Sequence, residues 1–248
     1  MSGQKFGGPD TPAESGQTRG RGRPQKISRE QILRAARSVA PAALTMQAVA
    51  DVLGVDPTSL NYHVGGKEGL REMVARDVFE SELRRVVLPA AGDWRDVLTL
   101  FATALRDAVV VVGTLIPYLQ PSYTGGLGTL ASVERVLQAL TEAGFGIEEA
   151  RGALILVTDT AASAGRDALT ARRGADPEVA ELAAALRAVP ETEFPMLREV
   201  VAVSQRDRRG ADEDRLSFDL TVIIAGLQQR LTSRRSPGMP IPRLRVPR

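Results

Sequence analysis

Residues 45–70 read TMQAVADVLGVDPTSLNYHVGGKEGL, and the punctuation of this stretch decides the fold. Thr45 is an N-cap candidate. Met46, Val49, Ala50 and Leu53 follow it on one helical face until Gly54 stops the helix. Asp56-Pro57 then supplies a second cap and a first helical residue that has no N–H to satisfy. A short helix is expected from there through His63, with Leu60 and Val64 turned inward and Leu53 and Val55 closing the core beneath the turn. Gly65-Gly66 breaks the chain, and a longer helix is expected from Lys67 to about Val87. Two short helices joined by a Gly-containing turn, the second opened by Asp-Pro, spell a helix-turn-helix. A generic helical hairpin has the same apolar spacing, so the pattern alone leaves that alternative open.

Working outward, Ser28 and Gln31 have capping-box spacing ahead of Ile32, Ala36, Val39 and Ala40, and Pro41 closes that first helix. Further helical segments are expected at 93–112, 127–143, 147–169, 177–188, 196–204 and 212–231. Breaks fall at 89–92, 117–126, 144–146 and 172–176. No alternating strand pattern between hairpin turns occurs, and there is no internal repeat. The expected fold is all-α: a three-helix helix-turn-helix domain at 25–70, then a helical regulatory and dimerisation domain at 71–231. Residues 1–24 read as a disordered basic arm and 232–248 as a disordered basic tail.

Composition narrows the function. Of 248 residues, 43% are hydrophobic and 25% charged, the range of a globular chain able to bury a core. The first ten residues do not resemble a secretion signal, no apolar run is expected to reach bilayer length, and the reading is cytoplasmic. There is no cysteine and a single histidine, which removes disulfides, thiolate nucleophiles and the usual zinc sets. No cofactor and no metal are expected. The net charge of +2 conceals a division. Residues 1–29 hold six basic and two acidic residues and 232–248 five basic and none acidic, leaving 21 basic against 28 acidic in between. A basic head on an acidic body suits a protein that meets nucleic acid at one end. The competing reading is an all-α enzyme or small-molecule carrier with an incidental helical hairpin, and the histidine and cysteine counts weigh against the enzyme.

The stretch 28–70, with its "SLNYHVGGKEGL" string, closely resembles the DNA-binding domain of the TetR family of transcriptional regulators. Trp94-Arg95-Asp96, the Ala143-Gly144-Phe145 break and the closing "SFDLTVIIAGLQQRL" resemble landmarks of the regulatory domain in the subgroup typified by the tetracycline repressor. The resemblance implies a ligand-responsive regulator, a repressor released by its effector, that binds a palindromic double-stranded operator as a homodimer. It carries DNA contacts to Thr45 and Gln47, to Pro57, Thr58, Ser59, Asn61, Tyr62 and His63, and to Lys67. Thr45 and Lys67 would bond phosphates, while Gln47, Thr58 and Asn61 would read bases. Gln47 stands where the tetracycline repressor has arginine, so a different operator is expected. The recognition helix holds no Lys or Arg. Phosphate attraction is therefore expected from Arg21 and Arg23 of Arg21-Gly22-Arg23-Pro24, which resembles an AT-hook core as well as an ordinary basic linker. His63, on that helix and with no second histidine, reads as a phosphate contact rather than a base or metal ligand.

For the effector, the resemblance points to Phe101, Leu105, the Leu119 or Gln120 position, and Val136. Tyr118, Gln120, Tyr123, Thr158 and Asp159 are added as polar contacts. The metal-binding histidine of the tetracycline site is missing, so a small apolar or aromatic effector is expected. Each of Phe101, Leu105 and Val136 could equally be plain core. Leu216, Leu220, Ile223, Leu227 and Leu231 recur at three and four residues, with Ala225 and Gly226 beside them. With 147–169 they are expected to build a four-helix dimer interface, the alternative being that the stripe faces only its own domain.

Overall fold

The computed structural model describes residues 27–40, 43–119, 127–174, 177–206 and 211–235, and all regular structure among them is helical. The helices are α1 (Arg29–Arg37), α2 (Met46–Leu53), α3 (Pro57–Val64), α4 (Gly66–Arg85), α5 (Trp94–Val112), α6 (Leu127–Glu142), α7 (Ile147–Arg173), α8 (Pro177–Arg187), α9 (Pro195–Arg206) and α10 (Ala211–Arg235). A 3₁₀ segment, Gly113–Tyr118, continues α5 where the sequence suggested only a break at Pro117. Pro117 lacks the N–H that a regular helix would use, and the tighter turn tolerates it.

Local signals account for the first four helices. Ser28 and Gln31 form the reciprocal capping box of α1. Thr45 caps α2 through the Ala48 N–H, and Gly54 ends that helix at φ 66°. Asp56 caps α3 through the Thr58 N–H at 2.7 Å. Gly65 (φ 72°) and Gly66 (φ 98°) make the turn into α4 in the left-handed region that side chains avoid. Ile32, Val49, Ala50, Leu60, Leu70 and Ala75 are buried together beneath these helices. Arg37 closes the group from outside, its guanidinium gripping Asp77 of α4 with two 2.8 Å hydrogen bonds.

The larger core lies between α5, α6, α7 and α10, around Val97, Leu98, Val136, Leu140 and Val157. Trp94 and Phe145 meet edge to face, centroids 5.4 Å apart. α5 and α7 cross so closely that a Cβ on Gly165 would lie 2.7 Å from the Val109 side chain and 2.9 Å from the Arg106 carbonyl oxygen. Helix α5 turns its apolar face into this core and carries Asp96, Thr99 and Asp107 on its exposed side. Within Trp94–Tyr118 an 18-residue window reaches a mean hydropathy of 1.7, enough by length and composition to cross a bilayer, against the expectation that no run approaches that length. Ten of the nineteen α5 residues are buried inside the protein.

Two boundaries also differ from the sequence reading. Helix α10 continues four residues past Leu231, and there Arg234 pairs with Glu149 of α7 at 2.7 Å, alongside Arg230 at 3.0 Å. The tail beginning at 232 is thus helical at its start. Helix α7 runs to Arg173 rather than Leu169.

Candidate functional site

At the N-terminal end, the cap-and-break pattern turns the polar residues of α2 and α3 outward. Leu60 and Val64 are held inside, and this rotates Thr58, Ser59, Asn61, Tyr62 and His63 to the surface. Pro57 is half-buried at the start of α3. Tyr62 is 88% exposed, which a large aromatic ring does not adopt for the sake of stability. The His63 ring stands against it edge to face at 5.7 Å. Thr45, Gln47 and Lys67 are exposed as well. Eight of the nine predicted contact residues of 45–67 are thus exposed on three successive elements, with Pro57 half-buried among them. Gln47 is not idle: its side-chain amide donates to Asp51 at 2.7 Å, a bond it must give up or share to read a base.

Asp56 sits at the α3 N-terminus, and its carboxyl is held below the usual carboxylate range by the Thr58 hydroxyl and N–H. Because the folded value is lowered, this cap supports α3 at neutral pH and is lost only as pH falls through that value. Arg21 and Arg23 lie outside the described residues.

The other end of the α5 rod reaches back into this unit. Val112 and Leu115 are buried in the same cluster as Leu70 and Val74, with Ile116, Tyr118 and Leu119 packed beside them. Arg71 of α4 donates to the Tyr118 hydroxyl at 2.6 Å, and its guanidinium lies 5.1 Å from the ring centroid. Tyr118 is therefore tied to the helix-turn-helix unit, a contact that the sequence did not suggest. Arg71 was not singled out from sequence, because nothing local signals a bond across 47 residues.

In the regulatory core, Phe101, Leu105 and Val136 are all buried in one apolar cluster. Thr158 is half-buried on α7, whereas Asp159 is exposed and does not join Phe101 in the interior; one residue of helical rotation separates them. Gln120 and Tyr123 lie outside the described residues. The α10 stripe is also corrected. Leu216, Leu220 and Leu231 are buried in their own chain, with Ile223 and Leu227 packed against that core. The outward row of α10 is a different one: Phe218 (68% exposed) and Val222 (56%), with Ala225 and Gly226 exposed beside them. On α7, Leu156 is half-exposed beside an exposed Gly152.

Comparisons with known proteins agree with this arrangement. A protein described as a possible TetR family transcriptional regulator from Streptomyces coelicolor A3(2) shares the fold at a TM-score of 0.64 and 22% identity, over 82% of this chain and all of that one. The Streptomyces coelicolor TetR family protein ActR, in complex with actinorhodin, matches at 0.61 and 22%, over 83% of this chain and 98% of its own. A single-site variant of TetR from Acinetobacter baumannii AYE, in complex with minocycline, matches at 0.53 and 19%, again over 83% and 98%. At such identities the likeness is one of fold. Among curated proteins nothing matches. The family signature described as tetracyclin repressor-like, C-terminal domain, matches residues 88–231, more than half of the chain. With a capped helix-turn-helix ahead of that domain, the chain belongs to the TetR family of transcriptional regulators.

Proposed function

We propose that this regulator reads its operator with α3, positioned by α2 and the start of α4, in a DNA-binding domain spanning about residues 25–70. The observation that carries this is the group of eight exposed polar residues resting on a buried apolar floor. In this reading Thr45, His63 and Lys67 hold phosphates and fix register. Gln47, Thr58 and Asn61 address base edges, with Pro57, Ser59 and Tyr62 completing the contact surface. Tyr62→Ala removes an exposed ring that nothing in the fold needs. Operator affinity should fall by about 1–3 kcal/mol with the melting temperature unchanged. Unchanged affinity in the folded variant would remove α3 from the role.

The missing cations come from the arm. Arg21 and Arg23 would enter the adjacent minor groove or run along the phosphates. Deleting residues 1–24 should reduce the slope of log affinity against log salt by about 0.9 for each phosphate that the arm neutralises. Equal slopes for the two proteins would make the arm a bystander.

Residues 71–231 form the regulatory domain, and its effector is a small apolar or aromatic molecule entering the core around Phe101, Leu105 and Val136, beside Thr158. Two findings support this: the core is apolar, and neighbours of the same fold hold actinorhodin and minocycline. The effector's effect reaches DNA through α5. A shift of its C-terminal end moves Gly113–Tyr118, and with it α4 through Arg71 and Tyr118. Tyr118→Phe keeps the ring and removes the 2.6 Å bond. It should leave effector binding intact and change the effector-induced loss of operator affinity by at least about threefold. An identical operator response with and without effector would place the coupling elsewhere.

The protein acts as a homodimer in the cytoplasm, without catalytic activity of its own. α7 and α10 form its two-fold interface, through the outward row of Phe218 and Val222 with Leu156. This spaces the two recognition helices about 34–36 Å apart, one turn of DNA.

A further inference from the structure

The Gln47 amide carries an acceptor and a donor, and which of them is free to turn outward decides the base that it can read. Asp51, one helical turn further along α2, fixes this. Gln47 Nε2 donates to Asp51 Oδ1 at 2.7 Å, and both side chains are exposed. An ionised carboxylate only accepts, so the amide nitrogen and not its oxygen must face Asp51.

The fold gains little from this carboxylate. A bond between residues four apart supports a helix only slightly, and Asp51 lies in the last turn of α2, where the helix dipole disfavours an anion. Among the described residues no cation pairs with it. On a face turned to DNA it also repels the phosphates.

Its effect on Gln47 is specific. Nε2 has two hydrogens, and with one given to Asp51 the amide keeps one N–H beside its Oε1. Neither has a hydrogen-bond partner among the described residues. In the major groove adenine shows an acceptor, N7, beside a donor, the N6 amino group, and matches both. Guanine shows two acceptors, one of which would oppose Oε1. Cytosine and thymine each engage one atom of the pair at most.

We propose that Gln47 reads an adenine in the operator half-site, and that Asp51 is the positioning residue that holds its amide in the adenine-reading sense. This rests on the reading of α2 and α3 as the helices that contact DNA. The Asp51 charge opposes binding to every sequence, whereas the oriented amide favours one base. Together they widen the gap between the right base and the others.

The test uses the full chain and duplexes from upstream of its own gene, with each base pair changed in turn to the other three in both half-sites. Fluorescence anisotropy at fixed salt reads affinity, and thermal melts confirm folding. The parent protein should prefer adenine at one position by about tenfold or more, and Gln47→Ala should flatten that position alone to within about threefold. Replacing that adenine by 7-deazaadenine, which pairs normally but lacks N7, should weaken the parent by at least about threefold and leave Gln47→Ala unaffected. Asp51→Ala should bind random DNA more tightly while its preference for adenine over guanine narrows by at least about fivefold. Asp51→Asn, which keeps an acceptor without the charge, should retain that preference. No position that responds to Gln47→Ala, a Gln47-dependent preference for guanine, or parallel loss of specific and random binding in Asp51→Ala would each overturn the proposal and leave α3 as the reader. A parent protein that prefers no sequence would overturn the underlying reading and the proposal with it.

Discussion

A Phe218→Asp protein should be monomeric in solution and should bind operator DNA no better than random DNA of the same length. Phe218 is 68% exposed on the outward side of α10, so the substitution leaves the chain's own core untouched. In a two-fold interface the same position is buried against the partner, and an unpaired carboxylate there costs about 3–5 kcal/mol. Operator affinity depends on both half-sites engaging together, so losing the pair drops binding to the non-specific level, a fall of about a thousandfold or more. Leu220→Asp, two residues along but buried at 4% exposure, should instead unfold the regulatory domain. Sedimentation of each variant with and without DNA distinguishes the two cases. A dimeric Phe218→Asp protein that still binds its operator tightly would show that α10 is not the interface.

The second large effect is expected from the smallest substitution. Gly69 lies in the first turn of α4, directly against the end of α3, and a Cβ there would collide with the Val64 carbonyl oxygen and lie 3.0 Å from its carbon. The obstacle is backbone, not the tip of a side chain, so Gly69→Ala forces the recognition helix away from α4. Overpacking of this kind costs about 1–3 kcal/mol of stability. The displacement also misplaces Asn61, Tyr62 and His63 together, so operator affinity should fall by about a hundredfold or more, beyond what removing any one of them does. Anisotropy titrations at matched salt, with thermal melts to confirm folding, measure both quantities. Operator affinity within about twofold of the parent would mean that the α3–α4 junction tolerates the methyl group and does not set the reading geometry.

What the sequence made legible was local. Ser28, Thr45 and Asp56 announce three helix starts through their own side chains, and Gly54 and Gly65 announce stops through conformations that other residues avoid. The outward group on α3 followed from the inward pair Leu60 and Val64. What was not legible needed tertiary information. Helix α10 carries two apolar rows, and the period of the Leu216–Leu231 stripe says only that it is buried, not whether its own domain or a second copy buries it. The bond from Arg71 to Tyr118 left no local signal, since the two lie 47 residues apart. Asp159 was misplaced for a simpler reason: one residue along a helix turns a side chain by about 100°.

The central claim, that this chain is a dimeric reader of one DNA sequence, is tested most directly by titrating the full protein into DNA from upstream of its own gene, at fixed salt and against excess random DNA. Fluorescence anisotropy reports affinity, and the mass of the complex reports stoichiometry. The account predicts saturable binding of two chains per palindromic site, preferred over random competitor by about a thousandfold or more, weakened by about 1–3 kcal/mol in Tyr62→Ala and lost in Phe218→Asp, both proteins remaining folded. Binding of own-gene and random DNA with equal affinity, or tight binding of a palindrome by a single chain, would contradict it.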